Sequence, residues 1–325
     1  MKLPIIAALT AVAAVAGNLS SATAQAWPDR PVKVIVPFAA GGGTDLIARM
    51  MAKHLSDRLK GNFFVENRAG ANGIVGLSAL KQAAPDGYTI AAASDGPLVT
   101  NHALYKEKLS YDSLKDFTPL AMMIKFPAVL AVHPSVPAKN IQDLIAHLKA
   151  HPGKLNFSSG GVGNYGHLAL ELFMQATGTK IVHVPFGGTG PATQALIAGD
   201  VQVIYNNVAS TLQAMEAKQV VGLGVGEPKR LKDLPSLPAI AETVPGYEMA
   251  AWTALVGPAG LPKEIIERIG QEAVAILRDP EVLSWLDKQQ IVAQPMGPEA
   301  FGGYLRDQRV KWDQIINSAG IRIAQ

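Results

Sequence analysis

The stretch that decides the fold is VKVIVPFAAGGGTD, residues 32–45, which leads from an apolar segment into a glycine-rich loop. Val32–Val36 has the β-branched composition of a strand, and Leu46–Leu59 carries apolar residues at helical spacing. A similar order returns where Val184-Pro185-Phe186 precedes Gly187-Gly188-Thr189-Gly190. These strand–loop–helix junctions predict an α/β fold, and their likeness is weak evidence for two related halves.

Short strands and helices alternate through the rest of the chain. Strands are expected at 88–93, 155–157, 181–184 and 201–205, and helices at 141–150, 167–176, 192–198, 262–277, 281–288 and 298–318. This alternation is typical of mostly parallel sheets covered by helices. A length of 325 residues predicts two such domains.

Composition excludes several classes of protein. Hydrophobic residues make up 48% of the chain, enough for sizeable cores, and the formal net charge of +3 lacks the clustered basic face of a nucleic-acid binder. Cysteine is absent. This excludes disulfides, thiolate nucleophiles, cysteine-ligated zinc, iron–sulfur clusters and a lipidated N-terminal cysteine.

Residues 1–26 have the pattern of a secretory signal. Lys2 supplies the charge, Leu3–Gly17 the apolar segment, and Ala24-Gln25-Ala26 the small-residue cleavage site. The apolar segment is short for a membrane-spanning helix and is broken by Pro4. We therefore expect cleavage after Ala26 and export from the cytosol, which argues against ATP or nicotinamide chemistry.

Three glycine-rich loops carry the expected binding chemistry: Phe38–Asp45, Ser158–Gly166 and Phe186–Pro191. Glycines let backbone N–H groups turn inward, and the helix that follows each loop adds unpaired N–H donors and the positive end of its dipole. Each loop should lie at the carboxyl end of a strand, where ligands bind in open α/β sheets. Together they predict a site for a carboxylate, phosphate or sulfate, although each glycine run could also simply make a tight turn.

The middle loop contains Gly161-Val162-Gly163-Asn164-Tyr165-Gly166, formally a dinucleotide-binding pattern. The strand expected at 181–184 ends in proline rather than in the acid that binds a ribose hydroxyl, so we reject a nucleotide.

No cofactor and no metal are predicted. His147 and His151 have metal-ligand spacing but no third ligand nearby, which favours a solvated helix end.

An exported serine hydrolase is the alternative from another class of function. Ser158 or Ser159 would be the nucleophile and His167 its base. The chain has no Gly-x-Ser-x-Gly elbow, and His167 at a helix start could equally stabilise the loop or face a ligand. We therefore expect no catalytic residues.

The ordered motifs resemble those of the tripartite tricarboxylate transporter receptors, also called Bug receptors. The resemblance covers essentially the whole mature chain. It rests on PFAAGGGTD at 37–45, NRAGANG at 67–73, DGYT at 86–89, GVG at 161–163, HVPF at 183–186, PG at 245–246 and PAG at 258–260.

The resemblance implies a periplasmic solute-binding protein of Venus-flytrap form, with two α/β domains, a hinge and a ligand in the cleft between them. The first domain would hold residues 27–126 and 253–325, and the second residues 127–252. The ligand would be a small organic acid, a carboxylate or an amino acid. The partners would be membrane subunits of a tripartite tricarboxylate-type transporter, and the chain is expected to be a monomer. A receptor that signals to a membrane sensor without transport is equally compatible with these motifs.

The resemblance also implies binding residues, carried over position by position. The first domain would contribute Phe38, Gly41, Gly42, Gly43, Thr44 and Asp45, and the second Ser159, Gly163, Asn164, His167, Phe186, Gly187, Gly188 and Thr189.

Three positions depart from the family pattern. Asn164 stands where serine or threonine is usual, and Asn206 where aspartate is common. Ser94-Asp95-Gly96 lies in a loop that is usually rich in serine and threonine. If Asp95 faced the cleft it would repel a second carboxylate and favour an amine or hydroxyl, whereas it could instead cap the following segment. Ser94, Asp95 and Asn206 join the candidate ligand-binding residues on this basis.

Overall fold

A computed structural model describes residues 27–318 of the chain. Its strands are β1 (Val32–Val36), β2 (Phe63–Asn67), β3 (Thr89–Ser94), β4 (Phe117–Phe126), β5 (Ala128–Val132), β6 (Asn156–Ser159), β7 (Val182–Pro185), β8 (Val203–Asn207), β9 (Val221–Val225), β10 (Ala251–Pro258) and β11 (Val292–Met296). Its α-helices are α1 (Gly43–Leu59), α2 (Ile74–Lys81), α3 (Asn101–Tyr105), α4 (Ile141–Ala150), α5 (Tyr165–Thr177), α6 (Thr189–Ala198), α7 (Val208–Glu216), α8 (Lys263–Ile276), α9 (Pro280–Lys288) and α10 (Pro298–Ser318). The expected signal peptide lies outside the described residues.

Most of the expected elements are present, with small shifts at their ends. The helix expected at 141–150 is α4, and Oδ1 of its N-cap Asn140 accepts a hydrogen bond from the amide of Asp143 at 2.8 Å. The helix expected from Leu46 begins instead at Gly43, so α1 starts inside the glycine loop. The helix expected from His167 likewise begins at Tyr165.

The strands form two sheets, which the chain visits in turn. The first has the order β11-β4-β10-β3-β1-β2 and the second the order β7-β6-β8-β5-β9. Residues before β5 and after β9 contribute the first sheet, so the chain passes to the second sheet once and returns once. The exact domain bounds, 126/127 and 252/253, stay a prediction.

The sheets are mixed, whereas the alternation of elements predicted mostly parallel ones. β1 is parallel to β2 and β3, and β6 is parallel to β7 and β8. β10 is antiparallel to β3, and β5 is antiparallel to β8. A third reversed strand, β11, is antiparallel to β4 at the edge of the first sheet. β10 and β5 both enter a sheet from the crossing between sheets. They therefore start at the edge where the parallel strands end, and must run the opposite way.

Two layers of apolar side chains cover the first sheet. On one face, α1 and α8 pack on β1 and β4, with Ile47, Leu55 and Ile269 fully buried. On the other face, α10 packs against β4, and Trp252 meets Phe301 edge-to-face at 5.9 Å. The cluster that contains Trp252 continues into the second sheet, so one core joins both.

Backbone hydrogen bonds connect the two crossings to each other. The amide of Gly226 donates to the carbonyl of Ala128 at 2.9 Å, and the carbonyl of Gly226 accepts from the amide of Met249 at 2.9 Å. The hydroxyl of Tyr205 donates to the Met249 carbonyl. A Cβ added at Gly226 would overlap both Tyr205 Oη and the Met249 carbonyl oxygen, so only glycine fits there.

Gly226→Ala should therefore lower the free energy of unfolding by about 2 kcal/mol or more, because buried backbone and a buried tyrosine would have to shift. Gly303→Ala in α10 is the control, since an added Cβ there meets only the flexible end of Arg306 at 3.9 Å. The control should gain about 0.5–1 kcal/mol from helix propensity. Urea unfolding of both variants measures the difference, and equal stabilities would contradict the crowding at Gly226.

Candidate functional site

A cleft of about 740 Å³ lies where the loops of the two sheets face each other. The loops after β1, β2 and β3 form one wall, and the loops after β6, β7 and β8 form the other. Phe126 and Trp252, at the two crossings between the sheets, also line it. The cleft thus lies at the carboxyl ends of parallel strands, the usual ligand position in α/β sheets.

The loop after β1 turns its backbone toward the cleft and leads directly into α1. Gly41 adopts φ 84°, a left-handed conformation that favours glycine. Its amide donates to Asp45 Oδ2 at 2.9 Å, which folds the loop over the first turn of the helix. The first amides of α1, at Gly43 and Thr44, have no acceptor within the helix.

Asp45 holds this loop from behind. It is 3% exposed, and its carboxylate accepts hydrogen bonds from Arg49 Nε at 3.0 Å and Asn67 Nδ2 at 2.8 Å, as well as from Gly41. Burial alone would raise the pKa of Asp45, but these hydrogen bonds and the charge of Arg49 outweigh burial and lower it. Asp45 is therefore an ionised support of the loop and lies outside the cleft lining.

The loops after β6 and β7 face the first wall and end at the N-termini of α5 and α6. Asn164 caps α5, with its Oδ1 accepting from the amide of Gly166 at 2.8 Å. Gly188 precedes α6 with φ 151°, and Thr189 begins that helix. With α1, three helix N-termini converge on one cleft. Among the described residues that line it, none is lysine, arginine or histidine.

A buried polar cluster supports the loop after β6. The amide of Gly163 donates to His167 Nδ1 at 3.1 Å, so this nitrogen is the unprotonated one. The His167 ring stacks on His183 at 4.0 Å, and His183 Nε2 lies 2.6 Å from Ser159 Oγ. Burial and the neighbouring His167 lower the pKa of His183 to about 4. Ser159, Gly163 and His167 therefore shape the loop without lining the cleft.

The serine–histidine pairs of the hydrolase alternative do not form. Ser158 is fully buried and donates to the carbonyl of Ala192 at 3.0 Å. Ser159 is 2% exposed, and the histidine it meets is His183 rather than His167. A nucleophile must reach its substrate, and neither serine lines the cleft.

Asp95 lies in the cleft wall, just after β3, and is 6% exposed. Burial raises its pKa to about 7, an effect only partly offset by the backbone amides of Asp95 itself, Trp252 and Gly96. Asn206 lies behind the opposite wall. Its Oδ1 accepts from Tyr165 Oη at 2.9 Å, its Nδ2 donates to Thr193 Oγ1 at 3.0 Å, and Asn207 lines the cleft in its place.

The structure thus brings together some candidate residues and separates others. Those that line the cleft are Phe38, Gly41, Gly42, Gly43, Thr44, Ser94, Asp95, Asn164, Gly187, Gly188 and Thr189. Those behind it are Asp45, Ser159, Gly163, His167, Phe186 and Asn206. Whether any of them contacts a ligand stays a prediction.

Sequence reasoning missed several lining residues, including Asn72, Tyr105, Phe126 and Trp252. The Asn72 segment had a usable signal, because it follows directly on the carboxyl end of β2. Asn72 is fixed by Asn101, whose Oδ1 accepts from Asn72 Nδ2 at 2.8 Å. No local sequence pattern marks Phe126 and Trp252, because only the crossings between the two sheets bring these residues to the cleft.

Residues 27–318 contain neither a metal-binding cluster nor a membrane-spanning helix. No three histidine, aspartate or glutamate side chains in this range are grouped as a metal site requires. His147 and His151 pack ring to ring at 4.6 Å at the end of α4. No helix in the same range has both the length and the apolar character needed to cross a bilayer.

Comparison with known proteins gives consistent matches over most of the chain. Residues 47–321 match the family model described as "Tripartite tricarboxylate transporter family receptor". Protein BugT of Bordetella pertussis is 30% identical over 321 residues, covering 98% of both chains.

Solved structures match as well. An R. palustris protein solved with adipate is 32% identical, with a TM-score of 0.83 over 91% of this chain and 100% of its own. MatC from Rhodopseudomonas palustris, solved with bound malate, is 28% identical, with a TM-score of 0.79 over 89% of this chain and 100% of its own. Each has the architecture found here.

The His183 environment predicts acid sensitivity. Its folded-state pKa of about 4 lies below the ordinary 6.5, so the unfolded chain takes up this proton first as the pH falls, and stability is lost between those values. His183→Gln can still bond Ser159 but does not titrate. Its free energy of unfolding should therefore fall less than the wild type's between pH 7 and pH 5. The difference should be about 1 kcal/mol, since solvent screening at this half-buried ring reduces the full linkage value of about 2 kcal/mol. His151→Gln changes an exposed histidine, and its free energy of unfolding, measured by urea titration, should vary with pH as the wild type's does. The same variation with pH in all three proteins would contradict the lowered pKa of His183.

Proposed function

Since the chain belongs to the tripartite tricarboxylate transporter receptor family of periplasmic solute-binding proteins, we propose that it captures a small organic carboxylate in the cleft between its two sheets. The observation that carries this proposal is the convergence of the N-termini of α1, α5 and α6 on the cleft. Free N–H groups and aligned helix dipoles favour a negative charge at such a point.

Backbone donors explain how a cleft whose described lining contains no basic side chain can hold an anion. Glycines at 41–43, 160–161 and 187–188 leave the amides accessible, because no Cβ stands between backbone and ligand. The adipate and malate bound by the two R. palustris proteins support a carboxylate in particular. The cleft volume of about 740 Å³ falls in the range of small-molecule sites.

The ligand would act by bridging the two walls. A ligand that contacts both walls stabilises a closed arrangement in proportion to its preference for that arrangement. The two crossings, near Pro127 and 226–250, are the segments that would absorb the motion. Closure would present one continuous surface to membrane subunits of a tripartite tricarboxylate-type transporter.

The chain would act as a monomeric receptor in the periplasm, after cleavage behind Ala26, and not as an enzyme. Binding and release by closure require no chemical step. The burial of Ser158 and Ser159 outside the cleft supports this against the hydrolase alternative.

Gly43→Ala should weaken carboxylate binding about tenfold, which corresponds to about 1.4 kcal/mol. An added Cβ would stand 2.8 Å from Phe126 Cζ, so the ring would have to move within the cleft. Calorimetric titration of the mature chain with mono-, di- and tricarboxylates and amino acids, against sugars and simple amines, measures both class and affinity. Gly303→Ala should bind as the wild type does, and saturable binding of sugars or amines alone would overturn the carboxylate proposal.

Transport and sensing can be separated in cells that lack only this chain. If the chain delivers its ligand to a transporter, these cells should no longer take up the radiolabelled carboxylate identified by calorimetry. Expression of the wild-type chain should restore this uptake, and expression of the Gly43→Ala variant should restore it only poorly. Normal uptake, with loss of the transcriptional response to the same compound, would instead establish the sensor alternative.

A further inference from the structure

The wall of the cleft contains one buried carboxylate that the loop architecture does not need. Asp95 is 94% buried, since its exposure is only 6%, yet it lines the cleft. Asp45, the other buried acid of this region, is explained by its bonds to Arg49, Asn67 and Gly41. Asp95 has no such set: among residues 27–318 no cationic side chain offsets its negative charge, and the groups that lower its pKa are backbone amides.

Capping does not account for Asp95 either. Its backbone is already helical, with φ −52° and ψ −39°, and of the turn at Gly96–Thr100 only the first amide, that of Gly96, faces its side chain, without forming a capping hydrogen bond. Burying an ionised carboxylate without a cation costs free energy. A cationic group that enters from the cleft would offset this cost.

The cleft that Asp95 lines also contains aromatic side chains, which suit a cation. Trp252, Phe126, Tyr105 and Tyr165 line the same cleft, and aromatic faces attract ammonium groups. Among the described lining residues, Asp95 is the single acidic or basic side chain. The cleft therefore combines helix N-termini that favour an anion with a buried carboxylate and aromatic rings that favour a cation.

From this polarity we infer that Asp95 forms an ammonium subsite, and that the ligand is an amino carboxylate whose carboxylate meets the helix N-termini while its ammonium group meets Asp95. This inference rests on the proposed function and narrows it. A plain dicarboxylate would place its second negative charge against Asp95 in a site of low dielectric, where repulsion is strong.

Matched ligands test the inference directly. β-Alanine, γ-aminobutyrate and δ-aminovalerate differ from succinate, glutarate and adipate only by an ammonium group in place of one carboxylate. Calorimetry with the mature chain should show at least one amino carboxylate binding about tenfold or more tightly than its diacid partner. Asp95→Asn keeps the size of the side chain, and should reverse or abolish that preference while still binding carboxylates.

The pH dependence gives a second readout. An ammonium ligand favours ionised Asp95, so binding should tighten from pH 6 to pH 8, through the pKa of about 7, with protons released to the buffer. Tyr165 and Tyr304, the titratable groups that feel the charge of Asp95, have pKa values raised by burial and stay neutral in this range. The slope should shrink in Asp95→Asn to the part that Glu227 contributes, because burial also raises the pKa of Glu227 to about 7, and it should persist in full in Asp287→Asn, an exposed change of equal charge.

The outcomes separate this inference from the function on which it rests. Diacids that bind the wild type as tightly as their amino partners, or an Asp95→Asn change that weakens both alike, would overturn the ammonium subsite and leave the carboxylate receptor standing. Binding of no carboxylate of either class would overturn both.

Discussion

The hydrogen bonds that tie the two chain crossings together are the constraint on which the rest of the structure depends. Gly226 bonds both Ala128, at the start of β5, and Met249, just before β10. β3 pairs with β10 and β8 with β5. Ser94, at the carboxyl end of β3, therefore lies opposite Thr253 near the start of β10, and Asn207, at the carboxyl end of β8, lies opposite Ala128 at the start of β5. The carboxyl edges of both sheets therefore face the same point, and each helix that follows a parallel strand begins there.

That geometry explains how a nearly neutral chain can be suited to an anion. The formal charge of +3 is spread over the whole sequence, and the described cleft lining holds no basic side chain. The positive electrostatic potential at the cleft comes instead from the N-terminal ends of α1, α5 and α6. The sheets behind these helices fix the direction of their dipoles. Such donors are already oriented in the empty protein, and binding need not order long flexible side chains.

The sequence was informative where one local pattern determines one structure. The three glycine loops were found because a strand, a glycine run and a helix must follow each other in the chain, and Asn140 caps α4 as predicted. The partner of Ser159 was not found, because β6 and β7 pair in a register that sets Phe157 beside His183, and no short-range pattern carries that register. Phe126 and Trp252 were missed for the same reason: the crossings that bring them to the cleft are long-range features. The mixed sheets follow from those crossings as well.

Two buried acids show where this fold departs from what stability alone would favour. Asp95 at the cleft and Glu227 at the crossing both have pKa values raised to about 7 by burial. Glu227 Oε1 accepts from the amide of Ala128 at 3.2 Å, while its buried Oε2 has no hydrogen-bond partner among the described residues. A neutral amide of the same size would avoid most of the desolvation cost at either position. Departures from local rules concentrate where a protein meets its ligand or moves. One of these acids lines the cleft and the other bonds the first residue of β5 at the crossing, so the desolvation penalty falls on the cleft and on the segment that the proposed closure would move.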